Sequence, residues 1–178
     1  LLEPLVSEFP QAKFILTIRN CYSWLESFLN YTLSRRLPLY WQKFGEFRYG
    51  SDSFDYAPEE KILADHQMRP LAQLLSRWAT HQRQVLKRVP SDRLLIIRTH
   101  ELDRSIPRLA EFLNIAPKTL DAHQAHLYKT AQQRDLLRQI DHDFLAAKVA
   151  EYCGDLMQTY FPEVHSLADA RRLEGGGL

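Results

Sequence analysis

Two short apolar runs constrain this chain more than any other feature. Lys13–Ile18 reads KFILTI and Arg93–Thr99 reads RLLIIRT. Both are rich in β-branched residues and bounded by turn formers, Pro10 and Asn20 around the first and Pro90-Ser91-Asp92 before the second. Runs of this length and composition read as buried strands. Most of the chain around them has helical spacing instead. Strands that alternate with helices pair in parallel, with the helices packed on the sheet. Two strands do not make a stable parallel sheet alone, so at least one further strand is expected, unless another chain supplies it.

Tyr22 to about Ser34 reads as a helix with Trp24, Leu25, Phe28, Leu29 and Thr32 on one side. Ser23, Ser27, Asn30 and Ser34 make a polar stripe on it. The aromatic-dense stretch Leu39–Tyr56 reads as irregular, either lining a substrate pocket or simply anchored by its own rings. Pro58–Met68 starts a helix with Glu59 and Glu60 near its positive end. Pro70 opens another, with Leu71, Leu74, Leu75, Trp78, Gln82, Val85, Leu86 and Val89 at helical spacing. Ser105 reads as the cap of a helix with Pro107 in its first turn. A last helix is expected from about Asp141 to Tyr160, with Pro162 ending it. The chain begins LLEPLVSEFPQ, without Met, and closes on RRLEGGGL. It therefore reads as a domain over 1–173 with a Gly-rich tail over 174–178, cut from a larger protein.

Several function classes are excluded or disfavoured. The 178 residues fit one domain, and 23 Lys+Arg against 22 Asp+Glu leave a net charge of +1. General nucleic-acid binding needs a basic surplus, so any anion site must be local. Two cysteines, Cys21 and Cys153, make no disulfide framework, which points to a reducing, cytoplasmic setting. No apolar run approaches the roughly 18 residues of a membrane span. Three of the six glycines lie in the tail, and neither G-x-G-x-x-G nor G-x-x-x-x-G-K-[ST] occurs. His123 and His126 form H-x-x-H without the further ligands that structural zinc needs, so no metal is expected. His100 reads as a capping residue and His81 as packed at the core edge. No G-x-S-x-G elbow is present.

One position stands out at the end of the first strand. Arg19 puts a permanent cation where the first strand meets the next helix. In open parallel sheets ligands bind outside the carboxyl ends of the strands, and a helix start there favours phosphate. Ser27 follows eight residues later on the polar stripe. A guanidinium fork and a serine hydroxyl together suit a phosphate. Spacing alone leaves equally open that Arg19 caps the strand and pairs with a nearby carboxylate.

The segment AKFILTIRNCYSWLESFLNY resembles the 3′-phosphate-binding segment of sulfotransferases that use PAPS (3′-phosphoadenosine 5′-phosphosulfate). That pattern is a strand ending in Arg-Asn or Arg-Asp, then a helix with Ser eight residues after the Arg. RLLIIRTHELDRSIPRLAEFLNI resembles the family's later strand and helix. The resemblance implies an α/β fold, a P-loop-like three-layer parallel sheet flanked by helices, here truncated at its N-terminal side. It implies that Arg19 and Ser27 hold the 3′-phosphate of PAPS, and that Lys129 or Arg134 in HLYKTAQQR touches the nucleotide. The reaction implied is sulfuryl transfer to a hydroxyl or amine on a small-molecule or carrier-bound acceptor, without metal. The phosphosulfate loop, its Lys or Arg and the general base are then expected before Leu1. The alternatives are a non-catalytic nucleotide-binding or interaction module of the same fold and, more distantly, a P-loop nucleotide kinase.

Overall fold

The computed structural model describes residues 2–34, 55–121 and 135–175. They fall into two compact units. The first takes Leu1–Arg19, Ala79–Lys129 and Arg172–Leu178, the second Asn20–Trp78 and Thr130–Arg171.

The first unit carries the sheet. Helix α1 (Leu2–Glu8) precedes strand β1 (Phe14–Ile18). Strand β2 (Leu94–Arg98) pairs with β1 in parallel, in register from Phe14↔Leu94 to Ile18↔Arg98. Both apolar runs are therefore strands, and the fold is α/β with a small parallel sheet. Among the described residues that sheet has two strands. Leu16, Ile18, Leu95 and Ile97 are buried, but Ile15 is 43% exposed and Thr17 is exposed as well. The expectation of a fully buried β1 fails on that face. Arg93 fixes the entry to both strands. Its Nε donates to the Ala12 carbonyl at 2.9 Å and its Nη2 to the Phe9 carbonyl at 2.7 Å, while the guanidinium lies over the Phe14 ring.

After β2 the chain makes two 3-10 turns and enters a short helix, Ile106–Leu113, with Pro107 in its first turn. Ser105 stands before it, but its hydroxyl donates to the Glu101 carbonyl at 2.9 Å and caps nothing. Asn114 ends that helix in the left-handed conformation, φ 58°. Asn tolerates this geometry better than most residues, and the turn returns two amides to Ala110 and Glu111 carbonyls.

The second unit is helical. Helix α2 (Cys21–Ser34) packs against α3 (His142–Tyr160) and against the turn Leu136–Gln139. Asp141 caps α3, accepting the Phe144 amide at 2.8 Å. The polar stripe of α2 is not a solvent face. Ser23 is 3% and Asn30 6% exposed, because the helix is covered on nearly every side. Trp24 stacks on Phe28 with ring centroids 5.4 Å apart. The long helix Leu71–Arg88, divided between the units after Trp78, buries Leu71, Leu74, Leu75, Trp78 and Gln82 as its spacing predicts, with Val89 buried just beyond it, while Val85 and Leu86 are only half-buried. His81 on the same helix is exposed, so it is not a core histidine. A final helix, α4 (Leu167–Gly175), runs two residues past the expected boundary at 173. Ser166 caps its start: its Oγ donates to Asp169 Oδ2 at 2.8 Å and accepts the Asp169 amide at 3.2 Å, while Asp169 Oδ2 also accepts the His165 amide at 3.1 Å.

Tyr22 ties α2 to the segment before α4, its hydroxyl donating to the His165 carbonyl at 3.4 Å. Burial pushes its phenol from 10.0 up to about 12. The folded state then holds a proton that the unfolded chain loses first as pH rises. Stability is fully present below pH 10 and falls between 10 and 12. We expect a loss of about 1–2 kcal/mol from this group, allowing for partial solvent screening. Denaturant unfolding at pH 9 and 11.5 checks it, with Tyr22→Phe free of this component of the fall.

Candidate phosphate site at the carboxyl end of the sheet

In the first unit, Arg19 follows the last residue of β1 directly. Its Nε donates to Glu174 Oε1 at 3.1 Å and its Nη2 to Glu174 Oε2 at 3.0 Å. This is a side-on, two-bond clasp of a carboxylate by the edge of a guanidinium, the geometry that also suits phosphate. The two side chains keep 32% and 25% of their surface exposed. The adjoining end of β2 adds further charge. Thr99 Oγ1 donates to the Ile18 carbonyl at 3.1 Å, locking the strand ends together. Arg98 Nη2 meets His100 Nε2 at 2.9 Å, and Glu101 Oε1 lies 3.5 Å from Arg98 Nε. His100 thus engages the Arg98 and Glu101 side chains. The sheet's carboxyl edge gathers Arg19, Arg98, His100, Glu101 and Glu174.

In the second unit, Asn20 explains the residue after Arg19. It is fully buried, and its Oδ1 accepts the Ser23 amide at 2.9 Å while its Nδ2 donates to Ser23 Oγ at 3.0 Å. Asn20 is the N-cap of α2. The Cys21 amide faces the Met157 sulfur at 3.4 Å. The Ser23 and Cys21 amides, two of the first in the helix, are thus already engaged within the protein. Ser27 stands in the second turn of α2 and is half-buried. Glu26 beside it pairs with Arg171, which also holds Asp135. Arg19 and Ser27 belong to different units, and each is placed here within its own.

Cys21 and Cys153 are buried free thiols. Burial, then the neighbouring Cys153 thiol, pushes the Cys21 thiol well above its ordinary value. That suppresses the thiolate and suits packing, not nucleophilic chemistry. Lys129, Arg134, His123, His126 and most of the aromatic stretch lie outside the described residues. Tyr56, at the end of that stretch, donates to the Met68 carbonyl at 2.6 Å. Among the described residues no cluster of His, Cys, Asp or Glu could hold a metal, and no helix is long and apolar enough to cross a membrane.

Sequence reasoning missed Glu174, assigning it to a Gly-rich tail. The signal was available: Ser166-Leu-Ala-Asp169 is a capping-box pattern ahead of a helical stretch.

These features define an α/β domain whose parallel sheet carries an oxyanion-clasping arginine at its carboxyl edge. A family model described as a sulfotransferase domain matches residues 1–123, and the chain belongs to that family. Its function is of the sulfotransferase type. The matched span holds both strands, Arg19 and Ser27, and stops short of Lys129 and Arg134. Comparison with curated proteins and with solved structures finds no match.

Proposed function

We propose that this chain grips the 3′-phosphate of PAPS through Arg19 and Ser27, in a transferase that moves the sulfuryl group to a hydroxyl or amine. The supporting observation is the Arg19 fork, which clasps an oxyanion side-on at the end of β1 within the family-matched span. The Glu174 carboxylate stands in for two oxygens of a phosphate there. PAPS would supply the sulfuryl group and a dianionic 3′-phosphate. Arg19 would give that phosphate two charge-assisted hydrogen bonds and Ser27 one more, worth roughly 1.5–3 kcal/mol each for charged partners.

Such a grip is remote from the reacting sulfur. It positions the donor and contributes binding, while rate acceleration requires cations where charge develops and a base for the acceptor's proton. The resemblance assigns those groups to other segments of the family fold. The same reading carries the P-loop-like three-layer sheet, nucleotide contacts from Lys129 or Arg134, a small-molecule or carrier-bound acceptor, and a cytoplasmic setting. A sulfotransferase-like fold that binds nucleotide without catalysis shares the same Arg19 role.

The test is ligand-dependent melting. A ligand that binds only the native state raises apparent stability by mass action. Adenosine 3′,5′-bisphosphate should raise the melting temperature clearly more than adenosine 5′-monophosphate, which lacks the 3′-phosphate. Equal shifts, or none, would leave Arg19 as a structural ion-pair residue.

A further inference from the structure

We infer that Glu174 is an internal competitor for the anion site of Arg19, so that 3′-phosphorylated nucleotide binds only as this carboxylate lets go. The inference rests on the assignment of Arg19 to the 3′-phosphate. It goes beyond that assignment by naming a residue of this chain that regulates the site.

The argument starts from the atoms. Glu174 occupies the Nε–Nη2 edge of Arg19 through both of its oxygens. A phosphate approaching side-on needs the same two donors in the same plane, so carboxylate and phosphate exclude one another there. The pair is also placed to exchange. Both side chains are about a quarter to a third exposed, so water can replace either partner during release. Arg93 in the same unit is different: its fork is committed to the backbone carbonyls of Phe9 and Ala12, which cannot leave without moving the chain. The position of Glu174 on α4 points the same way. It lies in the last turn of Leu167–Gly175, where the helix end carries partial negative charge. A carboxylate there gains nothing from its own helix, and Arg19 supplies it with a counter-charge. Arg98, His100 and Glu101 stand at the same sheet edge, and Glu101 is already turned to Arg98 at 3.5 Å.

An internal competitor lowers apparent affinity by the fraction of molecules in which the site is open. For a part-exposed ion pair we expect that factor to be about threefold to tenfold. Glu174→Gln keeps the shape and removes the charge. Glu174→Asp keeps the charge and shortens the reach by one methylene.

The experiment is calorimetric titration of adenosine 3′,5′-bisphosphate, at one salt concentration, into wild type, Glu174→Gln, Glu174→Asp, Arg19→Ala and Glu151→Gln. Glu151 pairs with Lys148 on the exposed side of α3 and controls for net charge alone. Supporting results are tighter binding in both Glu174 variants, no more than about a twofold change in Glu151→Gln, and loss of binding in Arg19→Ala. Unchanged or weaker binding in the Glu174 variants, with Arg19→Ala still damaging, overturns the competitor and leaves the Arg19 assignment standing. Equal tightening in Glu151→Gln attributes the effect to bulk charge and also overturns it. Binding that ignores Arg19, or that is absent from wild type, removes the assignment and the competitor together.

Discussion

Arg19→Ala should abolish most of the stabilisation that adenosine 3′,5′-bisphosphate gives the protein, while costing the free protein little. The nucleotide side of this expectation is large because two charge-assisted bonds to a dianion disappear at once. At roughly 1.5–3 kcal/mol per bond to a charged group, affinity falls by at least about tenfold. The cost to the free protein is small because the Arg19–Glu174 pair is part-exposed, and such pairs contribute about 0–1 kcal/mol. Glu174 is left with access to water, not buried alone. Arg19→Lys sharpens the point. Lysine keeps the charge but offers no planar fork, so it should recover only part of the loss. The check is a melting series with nucleotide concentration for the three proteins. Undiminished nucleotide shifts in Arg19→Ala would remove the residue from the site.

Glu60→Ala should destabilise the free protein far more than any change at Arg19 or Glu174. Glu60 is 4% exposed, and its two oxygens accept from two separate backbone amides. Oε2 takes the Leu71 amide at 2.7 Å and Oε1 the Ala57 amide at 3.3 Å. Leu71 is the first residue of the long helix and fully buried. Its amide is one of the orphan donors of a helix start, and the carboxylate also meets the positive end of that helix. Truncation leaves the buried Leu71 amide without an acceptor and opens a cavity in the core of the second unit. We expect a loss of about 2–4 kcal/mol in urea unfolding. Glu60→Gln retains one acceptor oxygen and should lose about half of that. A change below about 0.5 kcal/mol for the alanine variant would show that the chain reorganises around the site.

Local pattern made much of this molecule legible. KFILTI and RLLIIRT are strands within a residue of their expected limits, and Cys21–Ser34 and Leu71–Arg88 are helices, because each is set by short-range composition and spacing. The parallel pairing followed from the helices between them. What failed depended on neighbours distant in sequence. Ser23 and Asn30 form part of a polar stripe in the sequence, and only the folded chain shows that both are buried. Ile15 looks like a core residue until one face of β1 is left open. Asn20 stands out in the sequence only as part of a family pattern, although Asn-x-x-Ser at a helix start has a cap's own logic. The clasp of Arg19 by Glu174 joins residues 155 apart, and no local pattern could have shown it. The three glycines after Glu174 suggest a tail and hide the Ser166 cap that begins α4.

The most direct measurement is a thermodynamic cycle between one guanidinium and one phosphate. Dissociation constants are taken for adenosine 3′,5′-bisphosphate and adenosine 5′-monophosphate, each with wild type and Arg19→Ala. The cycle isolates the interaction between the 3′-phosphate and Arg19 from everything the two nucleotides share. If Arg19 holds that phosphate, the coupling is about 1.5 kcal/mol or more, with Arg19→Ala weakening the bisphosphate and barely touching the monophosphate. A coupling near zero, with both nucleotides affected alike, would contradict the assignment of Arg19 to the 3′-phosphate.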